Sequence, residues 1–144
     1  NTKLICRLIE ANYPDYNAVI PINNPNKLTL NRLEFQNALR RISIFSNKTT
    51  YQVVLNIAGS ELKISAQDLD FSNEANERLT CSYEGADLDI AFNARFLIEM
   101  LGVLDSGDIE IELSTPTRAG VLRPVEKNEG EDLLMLVMPV MINA

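Results

Sequence analysis

The chain has 144 residues, of which 46% are hydrophobic, and a formal net charge of −7. This length predicts one domain with a piece of a neighbouring domain, and the charge disfavours general affinity for nucleic acid, since binding phosphate requires local cations. No apolar run approaches the roughly 20 residues that cross a bilayer, so no membrane contact is expected. The two cysteines lie far apart without a CxxC pattern, which predicts buried thiols, no disulfide framework and a reducing, cytoplasmic setting.

The first quarter of the chain divides into a strand-like stretch and a loop. Residues 3–10 are typical of a strand, and the absence of an initial Met suggests a piece of a longer chain. The following stretch to residue 25 contains three prolines and several asparagines, which predict a loop or linker. We therefore predict the end of a preceding domain at 1–20, a linker at 21–27 and a complete domain at 28–144.

A short strand at 28–30 and a helix at 31–45 open the predicted domain. Asn31 is a suitable N-cap with Glu34 three residues later. The apolar residues of the helix fall on one stripe at helical spacing: Phe35, Ala38, Leu39, Ile42 and Phe45. Arg40 and Arg41 lie on the opposite side, and so does Ile44, which predicts a contact outside the domain.

The remaining elements follow as strands with one further helix. Strands are predicted at 51–59 and 61–69, joined by a tight turn at Gly59, and then at 71–85, 87–92, 109–114, 116–125 and 133–142. A second helix is predicted at 94–104, capped by Asn93. Its expected inward residues are Phe96, Leu97, Met100, Leu101 and Leu104.

The chain repeats itself once. LTLNRLEF (28–35) and IAFNARFL (90–97) share a strand, an Asn cap and a helix start at an offset of 62 residues. The sequence therefore predicts an α+β fold of two β-α-β-β-β repeats, with two helices packed on antiparallel sheets.

The residues needed for common catalysis are missing. The chain has no histidine, no GxGxxG and no Walker-type phosphate loop, which disfavours acid–base catalysis, zinc and nucleotide binding. Asp87 with Asp89, and Glu110 with Glu112, have the i, i+2 spacing of a solvated strand face. We expect no enzyme, no catalytic residue, no metal and no cofactor.

Four stretches together resemble a known family: YPDYNAVIP (13–21), RRISIFSN (40–47), YEGADLDIAFNARFLIEML (83–101) and LVMPVM (136–141). They are similar to the end of the second domain and the whole third domain of the bacterial beta sliding clamp, the DNA polymerase III beta subunit. The resemblance covers nearly the full chain. It implies a processivity factor of DNA replication that forms a head-to-tail homodimeric ring, whereas this chain by itself is expected to be monomeric.

The resemblance also implies three surfaces. Both helices would line a channel around duplex DNA, where Arg40, Arg41 and Arg95 would contact phosphates without sequence preference. Ile44 and Phe45 would pack across the ring interface.

The third implied surface is an apolar pocket for short peptides of the DNA polymerase III alpha subunit, the clamp loader and other partners. Its implied residues are Pro14, Val19, Asn93, Phe96, Val137, Met138 and Pro139, with Thr117, Ala119, Leu136, Val140 and Met141 aligning less literally. The family often has an arginine before Val19, where this chain has Ala18.

Two other functions are open to the sequence. One is a stand-alone protein- or peptide-binding module without a DNA role, which would lack two similar domains upstream. The other is a hydrolase that uses carboxylates, which would require a carboxylate-lined cleft.

Overall fold

The structure is a computed structural model that describes residues 1–142, so the last two residues of the predicted 28–144 domain lie outside it. Helix α1 spans Arg32–Ile42 and α2 spans Ala94–Gly102, and 3-10 turns lie at Tyr16–Ala18 and Ser43–Phe45. The strands are β1 Asn26–Asn31, β2 Gln52–Ala58, β3 Glu61–Asp68, β4 Asn73–Thr80, β5 Ser82–Glu84, β6 Leu88–Asn93, β7 Asp108–Leu113, β8 Gly120–Pro124 and β9 Met135–Val137. None of the helices within residues 1–142 is long and apolar enough to cross a membrane.

The two repeats exchange their first strands. One sheet has the order β5-β1-β7-β8-β9 and the other has the order β4-β3-β2-β6, with antiparallel pairing throughout. Strand β1 therefore pairs with β7 of the second repeat, as at Leu28 and Ile111, while β6 pairs with β2 of the first, as at Ile90 and Leu55. The predicted α+β fold with two β-α-β-β-β repeats is confirmed, and neither repeat completes a sheet alone.

The two helices begin in the same way and lie side by side. The Asn31 side chain accepts a hydrogen bond from the Glu34 amide (3.1 Å), and Asn93 accepts one from the Arg95 amide (2.9 Å). These bonds satisfy amides that the helix itself leaves unpaired. A hydrogen bond joins the helices of the two repeats, since Gln36 Nε2 donates to the carbonyl of Ile98 (3.0 Å).

The helix pair is antiparallel. Arg32, at the start of α1, donates from Nε to the Ser106 carbonyl (2.7 Å) and from Nη1 to the Leu101 carbonyl (3.0 Å), at the end of α2. The C-terminal end of α1 consequently lies beside the N-terminal end of α2.

The core lies between the helices and the two sheets. Its largest fully buried side chains are Phe35, Phe92, Leu28, Leu39, Leu55, Ile57, Leu62, Ile64, Ile90, Leu97, Leu101 and Ile109. Each such side chain contributes roughly 1.5–3 kcal/mol on leaving water. The predicted stripe of α1 is buried through Ile42, but Phe45 lies in the following 3-10 turn and is exposed.

The single strand predicted at 71–85 is two strands in different sheets. Strand β4 pairs with β3, whereas β5 pairs with β1, and the chain crosses at Cys81. The Cys81 amide donates to the carbonyl of Ser60 (3.0 Å), and its side chain is buried. Burial raises the pKa of the Cys81 thiol, helped by the nearby Glu61 carboxylate, so the thiol stays protonated.

The last two predicted strands are shorter than expected. Residues 115–118 form a turn before β8. A hydrogen bond from the Arg118 amide to the Thr115 carbonyl (3.2 Å) closes this turn. The final segment pairs with β8 only at Met135–Val137, and the Val140 amide then donates to the Ala91 carbonyl in β6 (2.8 Å). Pro139 has no backbone N–H that could continue the pairing with β8. The segment therefore passes from one sheet to the other.

The strand predicted at 3–10 is wrong for this chain. Residues 1–19 are exposed, and no strand is assigned there because no neighbouring strand offers hydrogen bonds. Cys6, predicted to be buried, is therefore exposed. The division into 1–20, 21–27 and 28–144 stays a prediction.

Candidate partner-binding and DNA-facing surfaces

The cations of α1 have three different environments. Arg32 is tied to the end of α2, as described above. Arg41 forms a two-point ion pair with Glu77 of β4, from Nε to Oε2 (3.1 Å) and from Nη2 to Oε1 (2.5 Å), which raises the pKa of Arg41. Arg40 is exposed, and none of the ion pairs within residues 1–142 involves it. Arg40 is thus the cation of α1 best placed to meet an external anion.

Arg95 on α2 is held by an aromatic ring. Its guanidinium lies 3.6 Å from the centroid of the Tyr51 ring, and Nη2 donates to the Tyr51 hydroxyl (2.6 Å). Sequence analysis predicted Arg95 but missed Tyr51. The only available signal was a tyrosine directly before β2.

An exposed apolar pair follows α1, as the sequence predicted for Ile44. Ile44 is 65% and Phe45 is 40% exposed, in a 3-10 turn that contacts β3 and β4. The turn is held by Lys48, whose Nζ donates to the Ile44 carbonyl (2.6 Å). Leu69 and Phe71, between β3 and β4, are also strongly exposed and were not predicted.

The predicted pocket residues come partly from adjoining elements. Helix α2 contacts β9, Gly120 of β8 pairs with Val137, and Val140 pairs with Ala91 just before α2. This arrangement brings the start of α2, the start of β8 and residues 136–140 together.

Within this region the side chains differ in accessibility. Phe96 is 58% exposed, contrary to its predicted inward orientation, and Met138 is 61% exposed. Val137 and Ala119 are buried. Of the other predicted residues, Asn93, Leu136, Pro139 and Val140 are partly buried, while Thr117 and Met141 are exposed.

Pro14 and Val19 lie in an exposed segment. Residues 1–23 make no hydrogen bond to later residues within the part of the chain that the structure describes. Asn24 is the first anchored residue, donating from Nδ2 to the carbonyls of Glu112 (3.0 Å) and Ala119 (3.1 Å). Five extended residues span at most about 17 Å, so Val19 stays within that distance of Asn24. Its contact with Phe96 stays a prediction.

Two cavities lie away from the predicted pocket residues. The larger, of about 640 Å³, covers the outer face of β2, β3 and β4 around Lys63 and Ser65. The smaller, of about 140 Å³, lies between the turn after α2 and residues 124–133. Neither cavity includes a predicted pocket residue.

The carboxylates lie on sheet surfaces and meet cations or amides. Glu110 lies 3.9 Å from Lys27 Nζ, Glu112 accepts from Arg123 Nε (3.3 Å), and Asp89 accepts from Asn56 Nδ2 (2.8 Å). Across residues 1–142 no group of acidic or cysteine side chains could hold a metal ion. This geometry gives no support to a carboxylate-based hydrolase.

Comparisons with known proteins agree on one family. The family model described as "DNA polymerase III beta subunit, C-terminal domain" matches residues 17–140. The beta sliding clamp of Pseudomonas putida is 29% identical over 134 residues, covering 93% of this chain and 35% of that protein. The beta sliding clamp of Treponema pallidum is 30% identical over 136 residues, covering 92% of this chain and 36% of that protein.

Solved structures give the same fold. A sliding clamp from Bartonella birtlesii bound to griselimycin has a TM-score of 0.85 and 33% identity, covering 93% of this chain and 35% of its own. The DNA polymerase III beta subunit of Thermotoga maritima has a TM-score of 0.87 and 26% identity, covering 95% of this chain and 36% of its own. The chain therefore spans little more than a third of the length of these relatives.

Proposed function

Because this chain belongs to the DNA polymerase III beta subunit family, through that family's C-terminal domain, we propose that it supplies one domain of a ring-shaped clamp. The complete ring would encircle duplex DNA in the bacterial cytoplasm and tether the polymerase during replication. The proposal rests chiefly on the antiparallel helix pair, which presents an exposed Arg40 that forms no ion pair within residues 1–142. It is a binding role that uses no catalytic residue and no cofactor.

Contact with DNA would be electrostatic and independent of sequence. A clamp stays on DNA by topology, so weak phosphate contacts suffice and permit sliding. We assign these contacts to Arg40 and Arg95, with a smaller part for Arg41, because Glu77 already holds most of its hydrogen-bonding edge. The net charge of −7 keeps the affinity low.

We predict that replacing Arg40 and Arg41 together with alanine lowers the salt dependence of duplex binding. Each lost phosphate contact reduces the slope of log K against log salt by about 0.9, so the double variant loses up to about two. Arg40→Ala should account for the larger share. Fluorescence anisotropy of a labelled duplex, titrated at several salt concentrations, measures this slope.

Arg78→Ala is the matched control for this measurement. Arg78 lies on β4, faces Glu61 (3.6 Å) and is outside the helix layer, so its loss removes the same charge without a phosphate contact. Binding that is independent of salt, or that depends on DNA sequence, would contradict the proposed function.

The ring interface is assigned to Ile44 and Phe45. An apolar pair exposed at the end of a helix is costly in water and favours a partner surface. A head-to-tail interface joins unlike surfaces, and in the proposed ring this chain contributes only one of the two.

We therefore expect the 144-residue chain to be monomeric or weakly self-associated in solution. Light scattering over a range of protein concentrations measures its mass. A tight, closed assembly of the size of a ring would contradict this assignment.

The peptide-binding surface is assigned to the region around Phe96 and Met138, with Pro14 and Val19 on its other side. The exposure of both large apolar side chains supports this assignment. The proposed partners are the DNA polymerase III alpha subunit, the clamp loader and other proteins with short apolar motifs. The stand-alone binding module considered from the sequence gains no support from the comparisons.

A further inference from the structure

Tyr51, directly before β2, contacts Arg95 at the start of α2. The guanidinium carbon lies 3.6 Å from the centroid of the ring, and one of its five N–H groups donates to the Tyr51 hydroxyl. Stacking on an aromatic ring leaves the edge of a guanidinium open to an acceptor. The arginine is thus held in place without losing its capacity to bind an anion.

The backbone fixes Tyr51 in an unusual conformation. Its φ is +48°, in the left-handed region that non-glycine residues seldom adopt. The Tyr51 amide donates to the Asn47 carbonyl (2.9 Å), and its carbonyl accepts from the Ala94 amide at the start of α2 (2.9 Å). A glycine would adopt this conformation without strain, so tyrosine at this position carries a backbone cost.

The pair is close to Arg40 across the helix layer. Gln36 bonds to Ile98, and one helical turn from each leads to Arg40 on α1 and to Arg95 on α2. Within residues 1–142 no ion pair involves Arg95, in contrast to Arg41. Two cations without carboxylate partners therefore lie at the same level of the antiparallel pair.

We propose that Tyr51 and Arg95 together bind one phosphate group of duplex DNA, with Arg95 donating from its free edge and the Tyr51 hydroxyl donating its own proton. The hydroxyl can do both because it accepts the Arg95 bond on a lone pair and keeps its proton for a second acceptor. This inference rests on the proposed function and adds Tyr51 to the DNA-facing residues. Tyr51 acts mainly as a positioning residue, since it fixes the guanidinium before DNA arrives.

The test compares three variants of the full chain, Arg95→Ala, Tyr51→Phe and the double variant, by anisotropy of a labelled duplex at several salt concentrations. Arg95→Ala should lower the salt slope by about 0.9, because one cation–phosphate contact is lost. Tyr51→Phe keeps the ring and every charge, so the slope should stay unchanged while affinity falls about three- to tenfold, as for one lost hydrogen bond. In the Arg95→Ala background the same Tyr51→Phe change should have a clearly smaller effect.

The outcomes separate the two proposals. If wild type binds with a salt slope that Arg40→Ala lowers, but Tyr51→Phe and Arg95→Ala leave binding unchanged, the pair is not a phosphate site and Arg95 is not a DNA contact, while the proposed clamp function stands on Arg40. Equal effects of Tyr51→Phe in both backgrounds would overturn the positioning role. If wild type shows no salt-dependent binding, both proposals fail. Circular dichroism melting of each variant ensures that a loss of binding is not a loss of fold.

Discussion

Replacing Met138 with aspartate should abolish binding of a short peptide that carries leucine and phenylalanine anchors. Each anchor buried on the surface contributes roughly 1.5–3 kcal/mol, which limits wild-type affinity to about micromolar once the peptide is ordered. An aspartate there would place an unpaired carboxylate under the apolar anchors, at a cost of roughly 1–3 kcal/mol or more. We expect affinity to fall at least about tenfold and, at the upper end of this cost, by more than about a hundredfold, which takes a micromolar ligand out of the measurable range.

The fold should survive this change because Met138 is 61% exposed and follows the last residue of β9. Titration of a labelled peptide, followed by anisotropy, measures the effect. Glu129→Asp, in the exposed loop before β9, is the control and should bind like wild type. Met138→Leu keeps the apolar surface and should retain most of the affinity. If Met138→Asp binds as well as wild type, the peptide surface lies elsewhere.

Replacing Arg32 with alanine should lower the stability of the fold much more than the same change at Arg40. Its guanidinium donates to the Ser106 and Leu101 carbonyls, and its backbone amide donates to the Gly107 carbonyl (2.9 Å). The two side-chain bonds hold α1 against the end of α2. A cation there also interacts favourably with the negative end of the α2 dipole. Hydrogen bonds from charged groups contribute about 1.5–3 kcal/mol each, so we expect a loss of about 3 kcal/mol in the free energy of unfolding.

For a chain of this size that loss lowers the melting temperature by about 10 °C. Urea denaturation followed by circular dichroism measures the free energy directly. Arg40→Ala removes the same charge from the same helix but no side-chain hydrogen bond, so it should change stability by less than about 0.5 kcal/mol. Similar losses for Arg32→Ala and Arg40→Ala would mean that the contact between the helices is not held by Arg32.

The carboxylate of Glu126 has a related role at the same turn. It accepts hydrogen bonds from Ser106 Oγ (2.8 Å) and from the Gly107 amide (2.6 Å), which lower the pKa of Glu126. A carboxyl with a lowered folded-state pKa stabilises above its unfolded pKa, and that stabilisation is lost as pH falls through the folded value. The end of α2 and the start of α1 are thus fixed by a cation and an anion on the same turn.

The amino-acid sequence by itself determined the local features of this protein. Asn31 and Asn93 marked both helix starts because a side-chain oxygen in that position satisfies a free amide. Gly59 marked the hairpin between β2 and β3, since its φ of +59° favours glycine. The repeat and the family resemblance also came from residues alone, because both depend on short motifs in a fixed order.

Only the tertiary structure decided which residues meet across the repeats. The crossing of the chain at Cys81, the exchange of β1 and β6 and the passage of the last segment between sheets depend on partners far along the chain. Local periodicity carries no information on pairing partners, so it could not distinguish β4 with β5 from one strand.

The same limit applies to the charged residues. Arg32, Arg40 and Arg41 are alike in sequence, yet Arg32 joins the helices, Arg40 is exposed and Arg41 is paired with Glu77. Likewise, Phe96 has the spacing of a core residue, but its side chain is exposed. A side chain's role depends on what lies across from it, and that is fixed only when the helices and sheets pack together.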